Sequence, residues 1–185
     1  MGRRARLLVV ACVVLAAAAW AGGAGRRPAA PAPTPPDAGV PAGADRAAVV
    51  RVVDGDTVRV RIGASDAELP PGEHRVRLLG IDTPEMDGGS AAPACGAIEA
   101  TAFLTSLLGR GQVWMLADRE DRDRFDRPLR YLWTADGTFV NHAIVRAGHG
   151  QAVAYEPNVR YREVLRAAEA GARASGAGVW GACTG

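Results

Sequence analysis

Apolar side chains recur at every second position in several short segments of the chain. In residues 57–62, Val58, Val60 and Ile62 alternate with polar side chains, and a period of two is typical of a strand with one buried face. Similar patterns predict strands at residues 47–53, 75–81, 112–117, 129–133 and 138–140. We expect the second and third strands to form one hairpin, and the last two to form another across residues 135–137.

Helical spacing of apolar residues predicts three helices. The first covers residues 97–108 before a Gly109 cap, and its predicted apolar positions are Ile98, Ala102, Phe103, Thr105 and Leu107. The second is short, begins with Asn141 as its N-cap and ends at Ala147, before Gly148. The third covers residues 160–174, and its predicted buried stripe consists of Tyr161, Val164, Leu165 and Ala168.

Strands come first in this order of elements, one helix interrupts them, and two helices follow the final hairpin. A mainly β, α+β domain fits this order. The simplest architecture is a small closed barrel with helices packed around its end.

The first 21 residues have the layout of a secretory signal peptide. Arg3, Arg4 and Arg6 precede an uncharged run of Leu, Val and Ala, and the segment Ala19-Trp20-Ala21 offers a small-x-small cleavage site. An apolar run of about 15 residues is short for a membrane span, and an uncleaved N-terminal anchor is the alternative. We therefore expect a protein that is secreted or held in the cell envelope.

Residues 22–46 are rich in Pro, Ala and Gly and have little to bury. This composition is typical of a semi-rigid linker with polyproline-II character. A chain of 185 residues then has room for one folded domain, which we expect at residues 47–185.

The composition narrows the possible functions. With 48% hydrophobic and 23% charged residues, the chain is not disordered from end to end. All 22 basic residues are Arg, which excludes Schiff-base chemistry and a phosphate loop that needs Lys. Without the three arginines of the signal peptide, 19 Arg face 20 Asp and Glu, a net charge of −1. A polyanion would have to be bound by a local arginine cluster or a bound cation.

Two cysteines, Cys95 and Cys183, remain once Cys12 leaves with the signal peptide. In an exported protein, one disulfide is the most economical use of the pair. A metal pair and two free thiols are the alternatives, although the spacing fits no zinc motif.

Carboxylates and arginines cluster at the ends of the predicted strands. Asp56 lies at the junction of two strands, Asp82 and Glu85 follow the third, and Arg77 lies on the third. Carboxylates of this kind are hard oxygen ligands that suit Ca²⁺ and not Zn²⁺. Arg77 and Arg127 would add forked donors for a phosphate. A cation, two arginines and a spare carboxylate are the parts that phosphodiester hydrolysis requires.

Each feature also has a structural interpretation. Asp-Gly-Asp alone is usually a turn, and the charged segment 118–124 is typical of a solvated loop that pairs with itself. The scattered His74, His142 and His149 have no ligand spacing, so we expect them at the surface or at caps. Trp114, Trp133 and Trp180 are expected in packing roles.

The three features in this order resemble the staphylococcal nuclease (thermonuclease) family. The resemblance covers about residues 49–180 and is carried by four groups of residues: Val53-Asp54-Gly55-Asp56-Thr57, Val76-Arg77-Leu78-Leu79-Gly80-Ile81-Asp82-Thr83-Pro84-Glu85, Asp123-Arg124-Phe125-Asp126-Arg127-Pro128-Leu129, and Gly137-Thr138-Phe139-Val140-Asn141 with Gly178-Val179-Trp180. It implies a five-stranded OB-fold barrel with about three packed helices, which cleaves DNA and RNA with Ca²⁺.

The resemblance also implies roles for single residues. Asp56 and Asp82 are the expected Ca²⁺ ligands, together with the backbone carbonyl of Thr83. Glu85 is the expected general base or water-orienting group, and Arg77 and Arg127 are the expected phosphate clamps. Tyr155 resembles a family tyrosine beside the nucleotide.

Two departures from the family pattern concern the substrate site. The usual Tyr-Gly-Arg is Phe125-Asp126-Arg127, which loses a flexible glycine and adds a negative charge. A second family tyrosine is replaced by Val153. Both changes bear on activity and substrate preference.

The resulting hypothesis is an exported, monomeric, Ca²⁺-dependent nuclease that acts on DNA, RNA or both with little sequence specificity. The alternative is a non-catalytic barrel that binds nucleic acid or protein, and a Ca²⁺-stabilised surface protein is a third possibility. A module that only binds has no need for Asp56, Asp82, Glu85, Arg77 and Arg127 together, which favours the enzyme.

Overall fold

The computed structural model describes residues 39–63, 68–86 and 92–183. The strands in these ranges are β1 (Asp45–Asp54), β2 (Thr57–Ile62), β3 (Gly72–Leu78), β4 (Ile81–Asp82), β5 (Gln112–Leu116), β6 (Leu129–Thr134) and β7 (Gln151–Ala152). The helices are α1 (Ala97–Leu108), α2 (Val140–Arg146), α3 (Arg162–Ser175) and α4 (Val179–Ala182). The predicted signal peptide and residues 22–38 of the predicted linker lie outside the described residues. No helix within the described ranges is long and apolar enough to cross a membrane.

Five strands close into a barrel in the order β1-β2-β3-β6-β5, which confirms the predicted OB-type architecture. All neighbours are antiparallel except β3 and β6, which are parallel. The alternation seen in the sequence holds in β2, because Val58, Val60 and Ile62 are buried in the core. Trp133 is also fully buried there, as expected for a packing residue.

The third predicted strand begins and ends earlier than expected, and its last predicted residue belongs to a separate strand. β3 ends at Leu78, and residues 81–82 leave the barrel as β4, which pairs with β7 in a separate two-stranded sheet. Gly80 makes the break, because its φ is +75° and a Cβ there would lie 2.5 Å from Leu165 Cδ1. The turn thus needs both the left-handed backbone and the absence of a side chain. It carries Asp82 out of the barrel wall.

The predicted hairpin after β6 is largely wrong. The predicted strand at residues 138–140 is not formed: a single antiparallel bridge joins Phe139 to Trp133, and α2 begins at Val140. Asn141 does not cap this helix. It is buried, accepts a hydrogen bond from Leu132 N at 2.9 Å and donates one to Leu79 O at 2.8 Å. Its amide group therefore ties α2 to β6 and to the residue after β3, and the two bonds satisfy buried polar atoms of Asn141.

The apolar positions predicted for α1 are not the ones that it buries most deeply, although Phe103 and Leu107 are partly buried and pack against the core. The helix buries Ala97, Ala100, Leu104 and Leu108, whereas Ile98 is 59% exposed. Small alanines lie inward because the β1–β2 turn approaches closely, and a Cβ at Gly55 would lie 2.8 Å from Ala100 Cβ. In α3 the predicted Leu165 and Ala168 are buried, and Ala172 completes the stripe.

A disulfide joins Cys95 to Cys183, with 5.9 Å between the Cα atoms. This is the pairing that the sequence favoured. It connects the segment before α1 to the residue that follows α4. The bond therefore holds the C-terminal end of the described chain against the approach to the first helix.

Reduction of this disulfide should lower the melting temperature. The cysteines are 88 residues apart, and in the chain-entropy model such a loop stabilises the fold by at most about 4–5 kcal/mol. Calorimetry with and without reductant measures the shift, and the double variant Cys95→Ser/Cys183→Ser, which should not respond to reductant, is the control. Two titratable thiols in the denatured, non-reduced protein would contradict the pairing.

Candidate active site

The guanidinium group of Arg77 lies between two carboxylates. Its Nη2 donates to Asp82 Oδ1 at 2.8 Å and lies 3.1 Å from Asp56 Oδ2. Nη1 donates to the carbonyls of Leu78 and Ile81, at 2.9 Å each, which fixes the group over the turn at the end of β3. The structure thus brings together the two acids that the sequence placed at different strand ends.

Asp56 is the more buried of the two acids. It is 5% exposed, and Thr83 donates to its Oδ2 from both the backbone N, at 3.1 Å, and Oγ1, at 3.2 Å. Burial raises the pKa of Asp56 to about 6, against the opposing effect of Arg77. The positive charge of Arg77 therefore does not fully offset the cost of burying the charged carboxylate of Asp56.

Two close backbone approaches position these acids. A Cβ at Gly55 would lie 2.6 Å from Thr83 Oγ1, so only glycine lets the β1–β2 turn pack against Thr83. A Cβ at Gly150 would lie 2.9 Å from Asp82 O, so glycine also permits the segment before β7 to lie against β4. The turn, β4 and β7 thus form one packed unit behind the carboxylates.

The donors present suit a hard cation with oxygen ligands. Asp56 and Asp82 both point to the place where the positive charge of Arg77 lies, and the side chain of Asp82 is 49% exposed. Within the described part of the chain, no group of three or more His, Cys, Asp and Glu side chains is arranged to hold a metal ion. Any ion here would therefore need backbone carbonyls and water beside the two carboxylates, which is ordinary for Ca²⁺.

Arg127 is held by Asp123, a contact that the sequence analysis missed. Asp123 Oδ2 accepts from Arg127 Nε at 2.7 Å, and Oδ1 accepts from the backbone N of Arg127 and of Phe125, at 2.9 Å each. Partial burial would raise the pKa of Asp123, but these hydrogen bonds outweigh it and lower the pKa. The sequence does show an acid four residues before Arg127, but the segment contains so many charged residues that this pair could not be distinguished from the others.

The backbone at Asp126 keeps a glycine-like conformation. Its φ is +62°, a left-handed value that asparagine and aspartate tolerate better than most residues. Its carboxylate accepts from Arg122 Nη1 at 3.2 Å and is 86% exposed. Asp126 therefore adopts a left-handed backbone that would also suit glycine, and it adds a charge beside Arg127.

The charged loop is less solvated than expected. Arg130 on β6 is fully buried, and its Nη2 lies 2.6 Å from Asp121 Oδ1. Nη1 of the same residue donates to the carbonyl of Asp121 at 3.2 Å. A buried arginine thus anchors the loop that carries Arg127, in addition to the pairing within the loop that the sequence predicted, as between Arg122 and Asp121. The sequence pattern does not reveal this role, because Arg130 occupies a buried position of β6 where an apolar residue would be expected.

Arg77 and Arg127 line one pocket of about 440 Å³. Tyr155 and Phe125 lie at the same pocket, and Tyr155 is 69% exposed. Buried Asn158 fixes the turn that carries Tyr155, because its Oδ1 accepts from the backbone N of Arg119 and of Glu120, at 3.0 and 2.8 Å. Sequence analysis did not identify this role of Asn158.

Glu85 is exposed and follows Asp82 by three residues. Among the described residues, no hydrogen bond or ion pair joins its side chain to the other candidate groups, while its carbonyl accepts from Ala94 N at 3.0 Å. The structure therefore anchors the backbone here and leaves the carboxylate open to solvent.

The histidines lie elsewhere: the ring of His149 packs on Phe103 with centroids 4.6 Å apart, and His74 contacts the carbonyl of Pro70.

Comparison with known proteins agrees with this geometry. The family model described as staphylococcal nuclease homologue matches residues 75–182. Thermonuclease of Staphylococcus intermedius is 32% identical over 132 residues, which span 71% of this chain and 74% of that protein. Thermonuclease of Staphylococcus hyicus is 30% identical over 71% of this chain and 73% of its own length. Endonuclease YncB of Bacillus subtilis is 28% identical over 70% of this chain and 59% of its own.

The chain therefore belongs to the staphylococcal nuclease family, and it is a hydrolase that acts on phosphodiester bonds.

Replacing Asp123 with Ala should impair hydrolysis without unfolding the barrel. The change removes all three hydrogen bonds that orient Arg127 and its loop, and a catalytic group displaced by about 1 Å can cost about 10²-fold in rate. Steady-state hydrolysis measures the effect. Asp126→Asn is the comparison in the same loop: Asp126 has no hydrogen bond to Arg127 among the described residues, so this variant should not lower the rate.

The same contact predicts a pH effect on stability. Since the pKa of Asp123 is lowered in the folded protein, its stabilising contribution is present above the ordinary value of 3.8 and is lost as the pH falls below it. Wild type should therefore lose more stability on acidification through this range than Asp123→Asn does. Equal losses in denaturant titrations of both proteins would count against the contact.

Proposed function

We propose that this protein is an exported, monomeric, Ca²⁺-dependent nuclease that cleaves DNA and RNA with little sequence specificity. One observation carries the proposal: Arg77 bridges Asp56 and Asp82 at the pocket that Arg127 also lines. The proposal assigns phosphate binding to these two arginines and cation binding to the two carboxylates that contact Arg77.

The choice of Ca²⁺ follows from the donors. Asp56 and Asp82, with the carbonyl of Thr83, would supply hard oxygen ligands in an irregular set, and Ca²⁺ accepts such sets more readily than Mg²⁺. Burial raises the pKa of Asp56, and a cation bound beside it would favour its charged form. When bound, the ion would neutralise charge on the phosphoryl oxygens.

Arg77 and Arg127 have donors to spare for the phosphate. In the described part of the chain, Nε of Arg77 and both terminal nitrogens of Arg127 have no hydrogen-bond partner. Guanidinium groups bind phosphate oxygens in a forked geometry and stabilise the charge that grows on them in the transition state. Because Asp123 holds Nε of Arg127, the other end of that guanidinium is presented in a fixed orientation.

Glu85 is the proposed general base. Its exposed carboxylate, three residues beyond Asp82, would take a proton from water as the water oxygen bonds to phosphorus. By its resemblance to the family, the bond from phosphorus to the 5′ oxygen then breaks and leaves a 3′-phosphate. Tyr155, exposed at the rim of the pocket, would contact the nucleotide.

Export is proposed from the signal peptide at residues 1–21. The disulfide between Cys95 and Cys183 supports it, because such bonds persist in oxidising compartments outside the cytosol.

Cleavage should require the metal. We expect the purified protein to hydrolyse single- and double-stranded DNA and RNA with Ca²⁺, less well with Mg²⁺, and not in excess chelator. Measurement of acid-soluble product under each condition tests this. Full activity with chelator present would overturn the metal proposal, and tight binding of nucleic acid without any cleavage would favour a binding module.

Replacing Glu85 with Gln should lower the rate about 10²–10⁴-fold, because the shape is kept and the base is lost. Arg127→Lys is the companion variant: it keeps the charge but loses the fork, so the rate should fall more than the affinity. Steady-state hydrolysis and binding are compared after circular dichroism has verified folding. A folded Glu85→Gln protein with the wild-type rate would remove Glu85 from the mechanism.

Replacing Asp126 with Gly should raise activity. Glycine adopts the positive φ of this position without strain, and the change removes a negative charge beside the phosphate site. Asp126→Asn separates the two effects, since it removes the charge and retains a side chain that tolerates the left-handed backbone. If neither variant exceeds the wild-type rate, the departure at this position does not limit catalysis.

A further inference from the structure

Three arginines lie side by side on the outer face of the barrel. Arg75 of β3 is paired with Arg59 of β2, and Arg59 is paired with Arg51 of β1. Directly opposite residues on neighbouring strands point to the same side of the sheet. Since Val58, Val60 and Val76 point into the core, these arginines point outward. We call Arg51, Arg59 and Arg75 the arginine row.

A register shift creates part of this row. Ala47 and Val49 of β1 point inward, and an unbroken alternation would send Arg51 inward as well. The pairing shifts between Val49 and Arg51, as in a β-bulge, and Arg51 is exposed. The distorted strand thus aligns the third cation with the other two.

The row is largely unneutralised. Like charges directly opposite one another destabilise a sheet, yet within the described ranges neither Arg51 nor Arg59 has an ion pair. Arg75 has only a long one, 3.9 Å from Asp54 Oδ2. The next cross-strand pair differs, because Arg61 lies opposite Glu73 and forms a salt bridge with it. Positive charge is therefore concentrated at the row while the pair beside it is compensated.

The row reaches the candidate active site. Arg75 and Arg127 line a second pocket, of about 530 Å³, together with Phe125. Phe125 and Arg127 also line the pocket that contains Arg77, so the two pockets adjoin at these residues. The Phe125 ring is 63% exposed, and the guanidinium of Arg124 lies 4.7 Å from its centroid. An exposed ring among cations is the kind of surface on which an unpaired base stacks.

We propose that a single-stranded polynucleotide leaves the active site across Phe125 and binds the arginine row through successive phosphates. The proposal rests on the nuclease function proposed above for the class of its partner. Neighbouring strands are about 4.8 Å apart, so the row spans roughly 10 Å, enough for about two to three phosphates at the spacing of a nucleic-acid strand. Because the mature chain has no basic excess overall, this local cluster provides the attraction.

The proposal predicts binding that depends on substrate length. The test variant is Arg59→Gln/Arg75→Gln, and the matched control is Arg146→Gln/Arg166→Gln, which removes two exposed arginines from α2 and α3. Fluorescence anisotropy measures the affinity for a labelled single-stranded 4-mer, a 16-mer and a 16-base-pair duplex over a series of salt concentrations. Glu85→Gln is introduced in every protein so that the strands are not cut during the titration.

The row variant should bind the single-stranded 16-mer roughly tenfold less tightly than its parent, with a much smaller loss for the 4-mer. The plot of log affinity against log salt should become shallower by about 1.4, since each lost single-strand phosphate contact contributes about 0.7. The control should change neither quantity. Thermal stability of the row variant should equal or exceed that of its parent, because a like-charge pair has been removed.

Three outcomes would overturn the proposal: affinity and salt slope equal to those of the control variant, equal losses for the 4-mer and the 16-mer, or a loss confined to the duplex. Failure of the proposed function is seen separately. It would appear as the absence of Ca²⁺-supported cleavage of the single-stranded and duplex substrates by the protein with Glu85 intact. The binding measurements would still show whether the arginine row binds single strands.

Discussion

The arrangement of the active end depends on one guanidinium group placed between two carboxylates. Asp56 is buried beside Thr83, and Asp82 lies on a strand outside the barrel, so their negative charges would repel each other without a cation near both. Arg77 provides that charge and also binds two carbonyls of the β3–β4 turn. In the proposed mechanism, the group that organises these carboxylates would become available to a phosphate once another cation took over the carboxylates.

Backbone geometry sets where this group can lie. Arg77 N donates to the carbonyl of Pro128 at 2.9 Å, which fixes the strand that bears Arg77 against the residue after Arg127. The left-handed turn at Gly80 then sends the chain outward, and Asn141 holds Leu79 to Leu132 from behind. The two arginines are therefore placed relative to each other by main-chain hydrogen bonds, which are stiffer than contacts between long side chains.

The sequence predicted the barrel strands, because a period of two and turn residues are local signals, and it placed Asp56 and Asp82 at strand ends that the fold brings together at Arg77. It did not predict the inward face of α1, which depends on how closely the turn at Gly55 packs against Ala100. It also missed Asn141, Asp123 and Arg130, whose roles come from partners brought together only by the fold.

Whether an arginine is available to a substrate depends on whether it already has an acidic or aromatic partner in the fold, and not on the net charge of the chain. Arg130 is buried against Asp121, Arg61 is paired with Glu73, and Arg173 covers the ring of Trp180, so these cations are already committed within the fold. Exposed ion pairs contribute little stability, about 0–1 kcal/mol each, but each one removes an arginine from the field that a polyanion would meet. A chain with balanced net charge can therefore attract nucleic acid only where its arginines are left without acidic partners. On the outer face of β1, β2 and β3, Arg51 and Arg59 have no ion pair among the described residues, and Arg75, which lines the pocket shared with Arg127, has only a long one with Asp54.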